Sequence, residues 1–121
     1  AMKSATSTKL SELNVPIGVQ HEWLHVITEL KNVLKKHEFI NKIYDYNSKF
    51  YWEAHQEEAE KHHALIEKAK YFCSKNWYFT EKMSNIYREE LNVSERHWLT
   101  ICDYLTVAGC CVNNYDYIGT R

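Results

Sequence analysis

Hydrophobic side chains recur every three or four positions along most of the chain, and this spacing predicts amphipathic helices. We expect a first helix with Asn14 as its N-cap and an end near Lys36. Its apolar stripe comprises Trp23, Val26, Ile27, Leu30, Val33 and Leu34. A short second helix should follow, and its apolar face comprises Phe39, Ile40, Ile43 and Tyr44.

The middle of the chain must contain a helix break. Residues 38–75 hold no glycine or proline, yet one helix of that length would reach about 57 Å at a rise of about 1.5 Å per residue. That exceeds a domain of this size, so we expect a break near residues 46–48, with Ser48 capping the next helix. This helix has a charged first half, and its apolar stripe comprises Leu65, Ile66, Ala69, Phe72 and Cys73.

The last third of the chain predicts two more helices after a buried aromatic connection at residues 77–79. Thr80 is the expected N-cap of a helix over residues 81–91, whose inward side chains are Met83, Ile86, Tyr87 and Leu91. Ser94 is the expected N-cap of the last helix, whose stripe comprises Trp98, Ile101, Cys102, Leu105, Ala108 and Val112. Few charges interrupt that stripe, which indicates a central, well-buried helix.

Composition indicates the same fold class. Three glycines and one proline in 121 residues are too few for the many turns of a sandwich or barrel, whereas a helical bundle needs few turns. The length suits one domain. We therefore predict an all-α, single-domain bundle of four to five helices with short loops over residues 14–121. Residues 1–13, rich in Ser, Thr and Lys, are predicted to be a flexible leader.

Charge and cysteine usage narrow the classes of function. The net charge is −1, and only three of the 15 basic residues are arginine, which argues against a surface that reads nucleic acid. No segment is apolar enough to span a membrane, and the first residues lack a secretory signal. We expect a cytoplasmic protein whose four cysteines are reduced thiols.

One catalytic signature stands in the chain, His-Glu-Trp-Leu-His at residues 21–25. On a helix, His21 and His25 lie one turn apart and could share a zinc ion, with Glu22 as the general base. A step of 100° per residue, however, places both histidines away from the core side of the helix. A zinc hydrolase is therefore the alternative prediction. It requires a third ligand, for which the candidates are Glu57, Glu58, Glu60 and His63.

A second metal pattern also occurs. Glu22–His25 and Glu60–His63 both have the Glu-x-x-His spacing of bundles that hold two metal ions. Such a site needs inward glutamates from two further helices, and none of the available ones lies on an apolar stripe: Glu81, Glu89, Glu90 and Glu95. The di-metal bundle thus remains a further alternative, while the preferred prediction has no cofactor.

The most polar stretch of the chain carries aromatic residues beside its carboxylates. Exposed aromatic side chains next to carboxylates are typical of surfaces that bind proteins. The C-terminal tail, expected to be irregular, repeats this combination. The predicted partner-binding residues are Tyr51, Trp52, Glu53, Glu57, Glu58, Glu60, Tyr115, Asp116 and Tyr117.

Together these features favour a non-enzymatic inhibitor, of the kind represented by bacterial immunity proteins that neutralise a toxin. A toxin that acts on nucleic acid, such as a nuclease, has a basic cleft that a strip of carboxylates would complement. We expect a basic protein partner and no direct contact with nucleic acid or a membrane. A helical adaptor protein is a third class, and the scarcity of arginine disfavours it.

Overall fold

A computed structural model of the chain describes residues 9–112, apart from residues 76 and 78. This part of the chain contains five helices, namely α1 in residues 9–12, α2 at Ile17–Ile43, α3 at Lys49–Ser74, α4 at Glu81–Leu91 and α5 at Glu95–Val107. Two short strands, β1 at Phe79–Thr80 and β2 at Cys111–Val112, pair in parallel. The predicted all-α bundle of four to five helices is confirmed.

The start of the bundle differs from the prediction. Asn14 has a φ of 62° and ends α1, because the N–H groups of Asn14 and Val15 bond back to carbonyls of the preceding turn. The prediction of Asn14 as an N-cap is therefore wrong, and α2 begins after Pro16 without a side-chain cap. Leu10 is fully buried, so residues 9–13 belong to the bundle and not to a leader. Residues 1–8 lie outside the described part.

Helix α2 is one continuous helix of 27 residues where two were predicted. The residues around Lys36 are good helix formers, and no cap or glycine interrupts them. The apolar face predicted for the short second helix is therefore wrong in part. Ile40 is buried, but Phe39 is 51% exposed and Ile43 is 50% exposed.

Helices α2 and α3 form a hairpin, and its turn confirms the predicted break. Ser48 is the N-cap of α3, with its Oγ accepting the N–H of Phe50 at 3.1 Å. Asp45 Oδ1 accepts the N–H of Asn47 at 2.9 Å and closes the turn. The hairpin thus brings the last turn of α2 and the first turn of α3 together at one end of the molecule.

The other end of the hairpin, which we call the base, is covered by α1, α4 and α5. Trp23 is at its centre and is fully buried. Its ring lies 5.2 Å from that of Phe79, and its Nε1 donates to the carbonyl of Trp77 at 3.2 Å. The base is therefore packed around the Trp23 side of α2. Its larger buried side chains are Leu10, Trp23, Ile27, Leu30, Phe79, Tyr87, Trp98, Ile101 and Leu105.

The connections in the last third combine confirmed and corrected predictions. Thr80 and Ser94 cap α4 and α5 as predicted. Of the aromatic connection, Phe79 is buried but Trp77 is 42% exposed, and Tyr78 lies outside the described residues. Val112 is in strand β2, not on the stripe of α5, because Gly109 adopts a φ of 77° and ends that helix.

None of the helices in the described part of the chain combines the length and the apolar character that spanning a bilayer requires. The tail at residues 113–121, predicted to be irregular, lies outside the described residues.

Candidate partner-binding surface at the hairpin tip

The far end of the α2–α3 hairpin exposes a group of large apolar side chains, which we call the aromatic tip. In globular proteins such side chains are normally covered, and their clustering at the surface marks interaction sites. The exposed fractions range from 38% for Tyr44 to 66% for Tyr46. The members of the aromatic tip are Phe39, Ile43, Tyr44, Tyr46, Phe50 and Trp52.

The tip is exposed because nothing in the described fold covers this end of the hairpin. No residue from 41 to 57 is buried, and α5 contacts the hairpin below the tip, at Glu38 and His62. The ring of Tyr44 lies 6.4 Å from that of Phe50, so the two helix ends share aromatic contacts. A shallow groove of about 560 Å³ runs between them, lined by residues 41–46 and Tyr51.

The first half of α3 adds negative charge beside the tip. Residues 50–60 include four glutamates and no lysine or arginine. Glu53, Glu57 and Glu60 are exposed, and we call them the acidic face. Their neighbours bind them loosely: Lys49 Nζ is 3.9 Å from Glu53, and Gln56 Nε2 is 3.5 Å from Glu60. Exposed contacts of this kind are weak, so the three carboxylates are available to a partner.

Glu58 is not part of the acidic face, which corrects its predicted role. Its side chain is 5% exposed and its Oε2 lies 3.0 Å from Lys61 Nζ. Glu57 and Glu58 are 100° apart on the helix, and that step turns Glu58 toward α2. The hydrogen bond to Glu58 raises the pKa of Lys61. Glu58 is therefore buried and paired with Lys61 of its own helix, and it does not face a partner.

Of the other predicted partner-binding residues, one is exposed, one is half-buried and three lie outside the part of the chain that the structure describes. Trp52 is 61% exposed, whereas Tyr51 is half-buried, with its ring 4.9 Å from Trp52. Tyr115, Asp116 and Tyr117 lie outside the described residues. Five of the six members of the aromatic tip were missed as a surface, and three of these, Phe39, Ile43 and Tyr44, fit a buried helical stripe. The signal that could have identified them is their position on both sides of a predicted turn, where few elements can cover them.

The histidines of the zinc signature are both exposed, as the helical projection predicts. Glu22 Oε2 lies 2.7 Å from Lys68 Nζ of α3, so the predicted general base is held in an ion pair. His25 borders a groove of about 370 Å³ between α2 and α3, together with Glu58 and Lys61. Within residues 9–112 as described, no group of three or more His, Cys, Asp or Glu side chains is arranged to hold a metal ion.

The two Glu-x-x-His pairs do not converge. Glu60 and His63 are exposed and lie on the side of α3 opposite Glu58, while Glu22 is paired with Lys68 between the helices. The di-metal arrangement needs both pairs to project inward. The described geometry does not provide that convergence.

A hydrogen-bonded chain that the sequence did not suggest joins α5 to α2. Ser94 Oγ lies 2.9 Å from His97 Nδ1, and His97 Nε2 lies 2.9 Å from Glu38 Oε2. The order serine, histidine, glutamate resembles a catalytic triad. Ser94 Oγ, however, also accepts the backbone N–H of His97 as the N-cap. The hydrogen bond from His97, and the nearby Arg96, lower the pKa of Glu38. We interpret the chain as an anchor for the start of α5.

Three further histidines lie along the contact between α2 and α3, just below the tip. The rings of His37 and His55 are nearly parallel, with an interplanar angle of 14° and centroids 4.7 Å apart. His62, two turns along α3 from His55, packs edge-on against Tyr104 of α5, with centroids 4.4 Å apart. Burial lowers the pKa of both His37 and His62.

Comparisons with family models, curated proteins and solved structures find no match for this chain. Its function is therefore inferred from its own surface. Two features of that surface stand out, namely the aromatic tip and the acidic face beside it.

Proposed function

We propose that this chain is a non-enzymatic binding protein that blocks a basic partner protein through the aromatic tip and the acidic face. One observation carries the proposal. Six large apolar side chains, between 38% and 66% exposed, lie at one end of a hairpin, next to three exposed glutamates. A bacterial, cytoplasmic immunity protein that neutralises a toxin, such as a nuclease, has the surface that this combination describes.

The two parts of the surface have different physical roles. Aromatic anchors that become fully covered supply most of the affinity of a protein complex, typically about 2 kcal/mol or more for each central residue. Carboxylates at the rim add little affinity but accelerate encounter with a positively charged partner. A nuclease toxin has a basic cleft for its nucleic acid. The acidic face on α3, beside the tip, is complementary in charge to such a cleft.

The experiment places a photoreactive amino acid at Tyr46 or Trp52 in the tip. Leu99 on α5 is the matched control, since it is 58% exposed and lies on another helix. The product of the gene next to this one in the source genome is the first candidate partner. We expect covalent adducts from Tyr46 and Trp52 and none from Leu99. Equal adducts from all three positions, or adducts from Leu99 alone, would remove the tip as the interface.

Neutralisation is measured separately from contact. Co-expression of the chain with the adjacent gene product should restore growth of a host that the product alone inhibits. Trp52→Ala should abolish the rescue, and Leu99→Ala should preserve it. If the adjacent product binds the tip but is not toxic, the immunity role is wrong and the binding role remains.

A further inference from the structure

The contact between His37 and His55 is defined by its hydrogen bonds. The two Nδ1 atoms are hydrogen-bonded to each other, and His55 Nε2 lies 2.9 Å from Asn41 Oδ1. An amide oxygen accepts only, so His55 carries its proton on Nε2. Its Nδ1 is then the acceptor, and His37 Nδ1 is the donor. With both rings neutral, each polar atom of this contact has a fitting partner.

Protonation changes this contact in two distinct steps. One added proton is tolerated, because His37 can take it on Nε2 and still donate its Nδ1–H to His55 Nδ1. A second proton leaves two N–H groups facing each other and two positive rings with centroids 4.7 Å apart. The hydrogen bond is then lost and replaced by repulsion between like charges.

The surroundings of the pair do not offset that repulsion. The nearest carboxylate on α3, Glu58, is already bound by Lys61. On α2, Glu38 is bound by His97 and Arg96 of α5. Burial and the proximity of His55 lower the pKa of His37, against a smaller raising effect of Glu58. The titratable groups that contact the pair or act on it electrostatically are Tyr51, Glu58 and His62, all from α3. Behind them, Lys61 pairs with Glu58, and Tyr104 of α5 packs on His62.

We propose that His37 and His55 form a clasp that keeps the hairpin tip closed near neutral pH and opens it in mild acid. Within residues 39–57, Ile40 alone is buried, so little apolar packing supports the tip when the clasp breaks. The base remains folded, because its core does not include the pair. The consequence for partner binding rests on the proposed function, whereas the opening of the tip does not.

Hydrogen exchange of the isolated chain tests the opening. Protection of the amides of residues 40–43 and 52–58, corrected for intrinsic exchange, should fall about tenfold between pH 7.5 and 5.5, the effect of about one pKa unit. His55→Gln should remove this pH dependence, and His63→Gln, on the exposed side of the same helix, should preserve it. Samples contain EDTA so that a metal does not bridge the rings. The same pH dependence in wild type and His55→Gln would overturn the clasp.

If His55→Gln does not fold, experiments on the wild type alone test the clasp. NMR titration should then show a step for His37 below the ordinary histidine pKa of 6.5. Tip exchange should follow that step. The absence of this step, or exchange that does not follow it, would overturn the clasp.

A measurement of partner binding distinguishes a failure of the clasp from a failure of the proposed function. At pH 5.5 the purified partner should bind wild type about tenfold more weakly than at pH 7.5, and His55→Gln should show no such loss. Tip opening without any change in binding would support the clasp and place the partner elsewhere. Binding at the tip without any change in exchange would support the proposed function and overturn the clasp.

Discussion

Trp23 and Trp52 show how the two ends of one hairpin differ. Trp23 is fully buried, with Phe79 against its ring and a carbonyl on its Nε1. Trp52 is 61% exposed and touches Tyr51. Both are helical tryptophans, so the difference is in what covers them. Helices α1, α4 and α5 pack around the base, and the described part of the chain provides no such layer at the tip.

The largest expected effect is a loss of stability at the base that has no counterpart at the tip. Trp23→Ala should lower the free energy of unfolding by about 3–5 kcal/mol, because it leaves a cavity among aromatic rings. Trp52→Ala should change it by no more than about 0.5 kcal/mol, as at other exposed sites. Urea unfolding measures both. An equally large loss for Trp52→Ala would mean that the tip is part of the core.

The sequence predicts well those features that depend on a few neighbouring residues. Ser48, Thr80 and Ser94 cap their helices as expected, because each cap is a bond from a side chain to a nearby N–H. The prediction for Asn14 was equally local, but the pattern of residues does not distinguish an N-cap from a left-handed helix end.

Cover by other helices could not be predicted from the periodic pattern. An apolar residue at helical spacing fits a stripe whether or not another helix packs on it, so the spacing predicts burial for Phe39 and Ile43 as well. The side of α3 that faces α2 was also not identified, so Glu58 was placed with its exposed neighbours. His37 and His55 are 18 residues apart and meet through the hairpin turn. A local motif does not contain such a contact.

A smaller effect at the base comes from one buried hydroxyl. Tyr87 Oη donates to the backbone carbonyl of Gln20, and burial raises the pKa of Tyr87. Tyr87→Phe keeps the ring and leaves that carbonyl without this donor, so the free energy of unfolding should fall by about 1–3 kcal/mol. Tyr46→Phe at the exposed tip is the matched control and should be nearly neutral. A neutral Tyr87→Phe would mean that the Gln20 carbonyl finds another donor.

The glutamates of α3 allow the comparison of buried and exposed residues to be made within one helix. Glu58→Ala should lower the free energy of unfolding by about 1 kcal/mol, the usual effect of losing a buried contact. The double variant Glu57→Ala with Glu60→Ala should leave stability nearly unchanged. It should instead weaken partner binding, and more at low salt than at high salt, because the acidic face acts through screened charges. An equal loss of binding at both salt concentrations would contradict that role.

The smallest expected effect on overall stability concerns acid. Burial lowers the pKa of His37 and His62 below the ordinary value of 6.5, so between the folded pKa and 6.5 the unfolded chain binds more protons than the native one. The free energy of unfolding should therefore fall as the pH drops through that window. The lowered pKa of Glu38 acts in the same direction, but only as the pH falls below its ordinary 4.5.

Urea unfolding at pH 7.5, 6.5 and 5.5 checks this window before Glu38 contributes. His37→Gln should show a shallower decline than wild type, because one of the groups that must stay neutral is gone. His63→Gln, whose ring is exposed beside Glu67, should decline as wild type does. Parallel curves for wild type and His37→Gln would show that the contact between α2 and α3 does not discriminate against the charged ring. The tip would then stay closed in mild acid, with no control by protons.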